Sequence, residues 1–350
     1  MQLACFLALL ALLKGAASHG NHPIVASTIQ GLAQTFVGHL EVPNGCGVNA
    51  DDMPPESPSQ NLAALWLRAA FHDVGKFDPE KPEQVVNGLL PNFLTEMENS
   101  GIGVSIATSF ASYVKFNYSR ADFIALAGQA VVIHCGGPTF NFSYGRQDGD
   151  RATPFTSLSQ SLPDDATHTY DMIKTKLRRL NFTNADIVAL VTGSHSLGGA
   201  HKFISPHLTD KKFQPFDSTP GVFDNVVFQD ALNGKCVTRV DCGIIKDPEM
   251  KPFIELYASS QDAFFKQYVE SFEKMVNLGQ NRAKLTSAAL DIEVHEKLAE
   301  EGGIQAVLAA ADAASGSKDK VNTVTSTSKS GAKETVVGGL MFLISFVMLA

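Results

Sequence analysis

Residues 67–73 read Leu-Arg-Ala-Ala-Phe-His-Asp, inside an apolar-periodic run over residues 61–74. The period predicts a helix. On a helix Arg68 and His72 stand one turn apart on one face, so a fixed cation and an imidazole look into the same space. Such a pair also fits a surface arginine beside a hydrogen-bonded core histidine. A second histidine, His195, near the end of another apolar run, makes the pair half of a candidate site.

Composition bounds the rest. The chain has 350 residues, 44% hydrophobic and 18% charged, enough for one large core. Its net charge of -8, with no large basic cluster, gives no support for nucleic-acid binding. Residues 2–13 are an apolar segment followed by Gly15, Ala16, Ala17 and Ser18, the pattern of a secretory signal over residues 1–18. Residues 336–350 are apolar to the end and follow a Ser/Thr-rich stalk over 314–335, which together read as a lipid-anchor (GPI) signal. A plain membrane tail is the alternative. With Cys5 in the signal, Cys46, Cys135, Cys236 and Cys242 remain, an even number that suggests two disulfides in an oxidising compartment. Local spacing favours Cys236 with Cys242, leaving Cys46 for Cys135; zinc is the rival use of these thiols. Acceptor sequons for glycosylation begin at Asn117, Asn141 and Asn181.

Helical spacing recurs at residues 24–40, at the Arg68–His72 segment with a cap near Ser59, and after Ser119, where Asp122 is placed to close a capping box. Thr183 to Asp186 repeats that cap logic and opens the helix that delivers His195. Residues 255–278 read as one further helix with an aromatic stripe at Phe264, Phe265, Tyr268 and Phe272. Strand signals are few. The expected fold is mostly α, with one domain over residues 19–280 and a looser extension over 281–313.

Two histidines on separate helices, one of them with an arginine a turn before it, suggest a flat cofactor held between them, and haem fits. The segments LRAAFHDV, SRADFIALAGQAVVIHCGGPTFNFSYGRQDG, DIVALVTGSHSLGGAHK and PFDSTPGVFDNVVF together resemble the plant-type haem peroxidase superfamily, most closely its secreted fungal branch. The resemblance covers roughly residues 40–280 and implies a helical fold with haem b between a distal and a proximal helix.

Carried onto this sequence, the resemblance implies His195 as the iron ligand and His72 as the distal base, with Arg68 and Phe71 completing the distal pocket. Asn99 matches the distal asparagine that would accept the Nδ1–H of His72, with Asn92 as the alternative. Asp241 matches the carboxylate behind His195, and Phe216 stands where an intracellular branch has tryptophan. Ser196, Asp217, Thr219, Val222 (by its carbonyl) and Asp224 resemble a proximal calcium site. For a distal calcium Asp73 is present, but Asn87 brings no charge and Leu89 no side-chain oxygen.

The implied substrate is hydrogen peroxide, with a small aromatic donor reaching the haem edge near Pro138, in a monomeric, secreted or surface-anchored enzyme. Acidic residues of manganese-oxidising members are replaced by Asn61, Leu65 and His201, and the surface tryptophan of lignin-oxidising members by Leu190. His201 and Lys202 are candidates for contacts to haem propionates; Trp66 reads as packing. Two rivals belong to other classes. A hydrolase would use Ser196 as nucleophile, although Ser194 stands where the Gly-x-Ser-x-Gly elbow needs glycine. A surface haem-binding or adhesion protein would keep the fold without the Arg68–His72 chemistry.

Overall fold

A computed structural model describes residues 61–103 and 119–290, apart from 159 and 203, together with residues 31, 33, 34, 36, 46 and 292. The leader, residues 51–60 with Ser59, Asn117 and the C-terminal stalk and tail lie outside the described residues. No described helix is long and apolar enough to cross a membrane.

The core is built on two helices whose sequences leave little room for polar surface. Helix α1 (Leu62–Val74) is capped by Asn61, whose side-chain oxygen accepts from the Ala64 amide, and not by Ser59. Helix α2 (Arg120–His134) is buried on every face through Ile133. Gly128 lets α1 and α2 approach: a Cβ there would lie 2.7 Å from Ala70 Cβ and 2.9 Å from the Phe272 ring. Ser119 caps α2 through the Asp122 amide, but the Asp122 carboxylate does not close the expected capping box. It accepts instead from the Gly145 and Arg146 amides and pairs with the Arg146 guanidinium at 2.9 Å. A buried arginine outbids the local cap because its own desolvation demands a partner.

Helix α3 (Tyr170–Arg179) precedes α4 (Asn184–Ile187), which opens on the predicted capping box between Thr183 and Asp186. From Val188 to Thr192 the backbone widens into a π-helical turn that runs toward His195. Helices α5 (Val226–Leu232), α6 (Arg239–Lys246), α7 (Lys251–Ser259) and α8 (Gln261–Val276) follow. The single helix expected over 255–278 is thus two, broken where Ser260 takes an extended backbone and caps α8 through the Ala263 amide. On α8, Phe264, Tyr268 and Phe272 recur every fourth residue and are fully buried, so the aromatic stripe is core.

Strand β1 (Asn141–Tyr144) pairs antiparallel with β4 (Thr286–Ala289), while β2 (Gly199–Ala200) pairs with β3 (Gln214–Pro215). The packed domain therefore runs past residue 280: β4 lies in the segment expected to be loose, and Leu290 and Ile292 are buried. Thr-Ser-Ala-Ala carries little strand signal, so the pairing depends on the partner strand. Cys46 bonds Cys135 and Cys236 bonds Cys242, so zinc has no thiols among these four.

Candidate active site

The distal half is assembled by α1 and the short turn Met97–Asn99. Arg68 donates from Nη1 to the Ser100 carbonyl at 2.7 Å and from Nη2 to the Glu98 carbonyl at 2.9 Å. His72 Nδ1 lies 2.8 Å from Asn99 Oδ1. Because Asn99 Nδ2 is already donating to the Phe93 carbonyl at 2.8 Å, the atom facing His72 is the oxygen. The imidazole must then carry its proton on Nδ1, which leaves the lone pair on Nε2. Asn92, the alternative partner, instead accepts from Arg120 Nη1 at 3.1 Å.

Electrostatics keep that ring neutral. Burial, then the Arg68 charge, hold His72 well below the ordinary histidine range, with Lys76 adding to the effect against the Asn99 hydrogen bond. Burial alone pushes Arg68 down to about 10, so it stays protonated at neutral pH. The Phe71 ring meets His72 edge-on, with centroids 6.1 Å apart.

The proximal half centres on His195, just beyond the π-helical turn. Its Nδ1 lies 2.7 Å from Asp241 Oδ2, a carboxylate oxygen that can only accept, so in the neutral ring the lone pair is on Nε2. Asp241 also accepts from Thr192 Oγ1 at 2.9 Å and Thr238 Oγ1 at 2.6 Å. Burial drives Asp241 upward, but the His195 imidazole and the two hydroxyls outweigh it and keep the group below the usual carboxylate range. Burial pulls the His195 pKa down, but the Asp241 charge and hydrogen bond outweigh it, and the pKa stands above the ordinary histidine value. The Phe216 ring sits 4.5 Å from the imidazole, centroid to centroid.

The two halves adjoin. Gly198, three residues after His195 and at φ +80°, backs onto α1: a Cβ there would lie 2.7 Å from Ala64 Cβ. On the other flank, Gly101 lies between Ile204 and the Arg68 guanidinium. Arg68, His72 and His195 are all set deep among protein atoms, yet all remain half-buried, with 24% of the His195 side chain accessible. Side chains that are deep and accessible at once line an internal opening.

The family profile described as Peroxidase matches residues 54–260, more than half of the 350. This chain belongs to the plant-type haem peroxidases. The peroxidase is 34% identical to L-ascorbate peroxidase 5, peroxisomal, of Arabidopsis thaliana, over 66% of this chain and 81% of the relative. It is 32% identical to the mitochondrial cytochrome c peroxidase of Aspergillus fumigatus, over 61% of this chain and 63% of the relative. It is also 32% identical to the cytosolic L-ascorbate peroxidase 2 of Oryza sativa, over 63% of this chain and 86% of the relative. Membership of the family makes the protein a haem enzyme that reduces hydrogen peroxide.

The residues present suit haem. His195 commits Nδ1 to the carboxylate behind it and keeps Nε2 for a metal, which is the donor chemistry an axial iron ligand needs. A hydrolase has less to work with: Ser196 Oγ is fully buried and Ser194 Oγ is held by Tyr268 OH at 2.9 Å.

Around the proximal loop, Thr219 Oγ1 lies 3.4 Å from Asp217 Oδ2 and 3.2 Å from Asp224 Oδ1. Burial, together with the charges of Asp224 and Asp230, pushes Asp217 up to about 7. Ser196 Oγ is buried without a partner, and the Val222 amide closes the loop onto the Thr219 carbonyl at 2.9 Å. Two carboxylates that repel one another around the shared Thr219 hydroxyl suit a hard cation. Asp73 is different. Its two oxygens accept from the Gly88 and Leu90 amides at 2.7 and 3.1 Å, so it anchors a loop where the sequence suggested a second calcium ligand.

Pro138 is half-buried after the Gly136–Gly137 turn that ends α2, and His201 packs its ring 4.9 Å from Phe213, while Lys202 is exposed. Leu190 is buried, and Trp66 is fully buried edge-on to Phe36 and Phe123. Sequence reasoning missed Lys76, whose Nζ pairs with Glu98 at 2.8 Å, and the two threonines bracing Asp241. No local signal marks Lys76, because it lies beyond the end of α1 and its partner is 22 positions along the chain.

Proposed function

We propose that this peroxidase works outside the cell, on the secreted fungal pattern, with haem b between His72 and His195 and a small aromatic compound as electron donor. The observation that carries the site reading is that both histidines commit Nδ1 to an acceptor, which leaves Nε2 as the nitrogen that bears the lone pair of the neutral ring. His195 Nε2 would ligate the iron, and Asp241, by accepting Nδ1–H, would make that nitrogen a stronger donor. When bound, the haem supplies the two oxidising equivalents that peroxide leaves and the donor removes. His72 Nε2 takes a proton from the incoming peroxide and returns it to the departing oxygen, and its low pKa keeps it free to do so at neutral pH. Arg68, still charged, stabilises the negative charge that builds as the oxygen–oxygen bond breaks. Phe71 and Phe216 are apolar walls on the two sides, and Phe216 offers no tryptophan to oxidise.

Calcium held by Ser196, Asp217, Thr219, Val222 and Asp224 would clamp the loop after His195, since a divalent ion offsets the burial and the like charges that raise Asp217. Secretion is supported by the leader-like residues 1–18, by two disulfides, and by sequons at Asn141 and Asn181, both exposed. The stalk and apolar tail over 314–350 support a lipid anchor. The relatives' names point to ascorbate and cytochrome c as competing donors, so the test is a donor panel. Purified protein from culture medium or cell surface is assayed with peroxide and guaiacol, ascorbate or reduced cytochrome c. The proposal expects guaiacol to be turned over fastest. A preference for ascorbate or cytochrome c overturns the donor assignment, and retention of the protein inside the cell overturns the location.

A further inference from the structure

Arg68 and His72 on α1, and Lys76 two residues beyond its end, all reach the same turn. Arg68 donates to the Glu98 and Ser100 carbonyls, His72 donates to Asn99 Oδ1, and Lys76 Nζ lies 2.8 Å from Glu98 Oε1. The turn Met97–Asn99 is a single 3-10 turn of three residues, too short to hold itself in place. It has no apolar anchor at its first residue, since Met97 is 89% exposed, whereas Asn99 is 2% exposed. Its position is therefore set by the side chains that grip it.

Lys76 is an unusual choice for that task. Its side chain is 8% accessible, and its Nζ sits 4.1 Å above the Phe155 ring and 3.4 Å from the Gln160 carbonyl. A lysine so buried is costly unless it is paired, and the carboxylate that pairs with it is the residue immediately before Asn99.

We propose that the Lys76–Glu98 ion pair is a positioning element for the reaction with peroxide: it pins the turn to the C-terminal end of α1 and so keeps Asn99 on Nδ1 of His72. This rests on the reading of His72 as the distal base. The charges acting on that imidazole are Arg68 from its own helix and Lys76 from just beyond the helix end, and the Glu98 carboxylate lies against Lys76. Lys176 of α3 adds a positive charge within range of Lys76 and Glu98, with its Nζ on Ser161 Oγ at 2.7 Å. The pair thus has two effects on His72. It fixes the hydrogen-bond acceptor, and it balances a cation that favours the neutral ring against an anion that opposes it.

The balance gives the test its sign. In the haem-loaded protein, the rate with hydrogen peroxide and the affinity for cyanide are followed across pH by the Soret band. Binding of hydrogen cyanide, like that of peroxide, requires a distal base to take a proton. Lys76→Met leaves the Glu98 anion uncompensated, raising the His72 pKa. The acid limb of both profiles should move up by about one pH unit, with about tenfold slower reaction below it. Glu98→Gln leaves the Lys76 cation, and the limb should move down. Lys76→Arg should restore the wild-type profile, and it carries the test with Glu98→Gln if Lys76→Met fails to fold. Loss of mere structural support would slow both single variants at every pH and move neither limb. That result, limbs moving in the same direction, or wild-type profiles throughout, would overturn the proposal. His72→Leu is the control for the underlying reading: if it reacts at the wild-type rate, His72 is not the base, whatever the Lys76 variants do.

Discussion

Replacing Asp241 by asparagine keeps the size of the side chain and removes its charge. In the native site the carboxylate accepts from His195 Nδ1 at 2.7 Å, Thr192 Oγ1 at 2.9 Å and Thr238 Oγ1 at 2.6 Å. An amide offers one oxygen to these three donors and turns an N–H₂ toward at least one of them. Losing a hydrogen bond to a charged group costs about 1.5–3 kcal/mol, and a buried donor left without a partner about 1–3 kcal/mol more, so about 3–5 kcal/mol is expected. In a domain of this size that lowers the melting temperature by on the order of 10 °C. The same change frees the His195 ring to turn and makes its Nε2 a weaker donor. Haem affinity should fall about 10–100-fold, and the iron's reduction potential should become more positive. Thermal melting by circular dichroism, haem transfer to a competing apoprotein and a potentiometric titration check the three effects. A folded Asp241→Asn protein with unchanged melting temperature, haem affinity and potential would refute the reasoning.

Three further outcomes follow from other parts of the molecule. Arg146→Met strands a carboxylate whose partner group is, like it, 1% accessible, and should cost about 3–5 kcal/mol by urea unfolding; a loss under about 1 kcal/mol would mean that the pair is dispensable. His72 is held well below its unfolded value of 6.5, so the unfolded chain binds a proton that the native one does not as pH falls below that value. Wild-type stability should then drop by up to about 1.4 kcal/mol per pH unit more steeply than that of His72→Leu, and equal slopes would contradict the depressed pKa. Asp217 titrates at about 7 without a cation, so calcium affinity measured by calorimetry should weaken as pH falls below 7, by up to about tenfold per unit; a pH-independent affinity would exclude Asp217 as a ligand.

Much of this architecture could be read from the chain because its signals are local. The capping box at Thr183 and Asp186, the helical spacing of Arg68 and His72, and the aromatic stripe of α8 need only neighbours a turn away. Pairings across longer separations escaped. Asp122 has the spacing of a capping residue, yet its carboxylate is claimed by Arg146, 24 positions along the chain. The break at Ser260 was hidden because apolar residues continue on both sides of it, and only the extended backbone at that residue reveals two helices. The β4 strand has almost no intrinsic preference for its conformation and exists by pairing with β1. Asn99 was favoured over Asn92 by resemblance; the deciding fact is that Arg120 claims Asn92 while Phe93 fixes which atom Asn99 turns to His72. Lys76 went unnoticed because a lysine four residues past a histidine reads as solvated surface until Glu98 is placed against it.

The central claim is that His72 and His195 face one haem from opposite sides, the second bound to iron and the first free to move protons. Stopped-flow absorption of the haem-loaded protein mixed with hydrogen peroxide tests it most directly, with His72→Leu run in parallel. The account predicts a rapid Soret change in the wild type and one slowed by about 10²–10⁴-fold in His72→Leu, with the resting haem spectrum still that of a histidine-ligated iron. A Soret change equally fast in both proteins would contradict it.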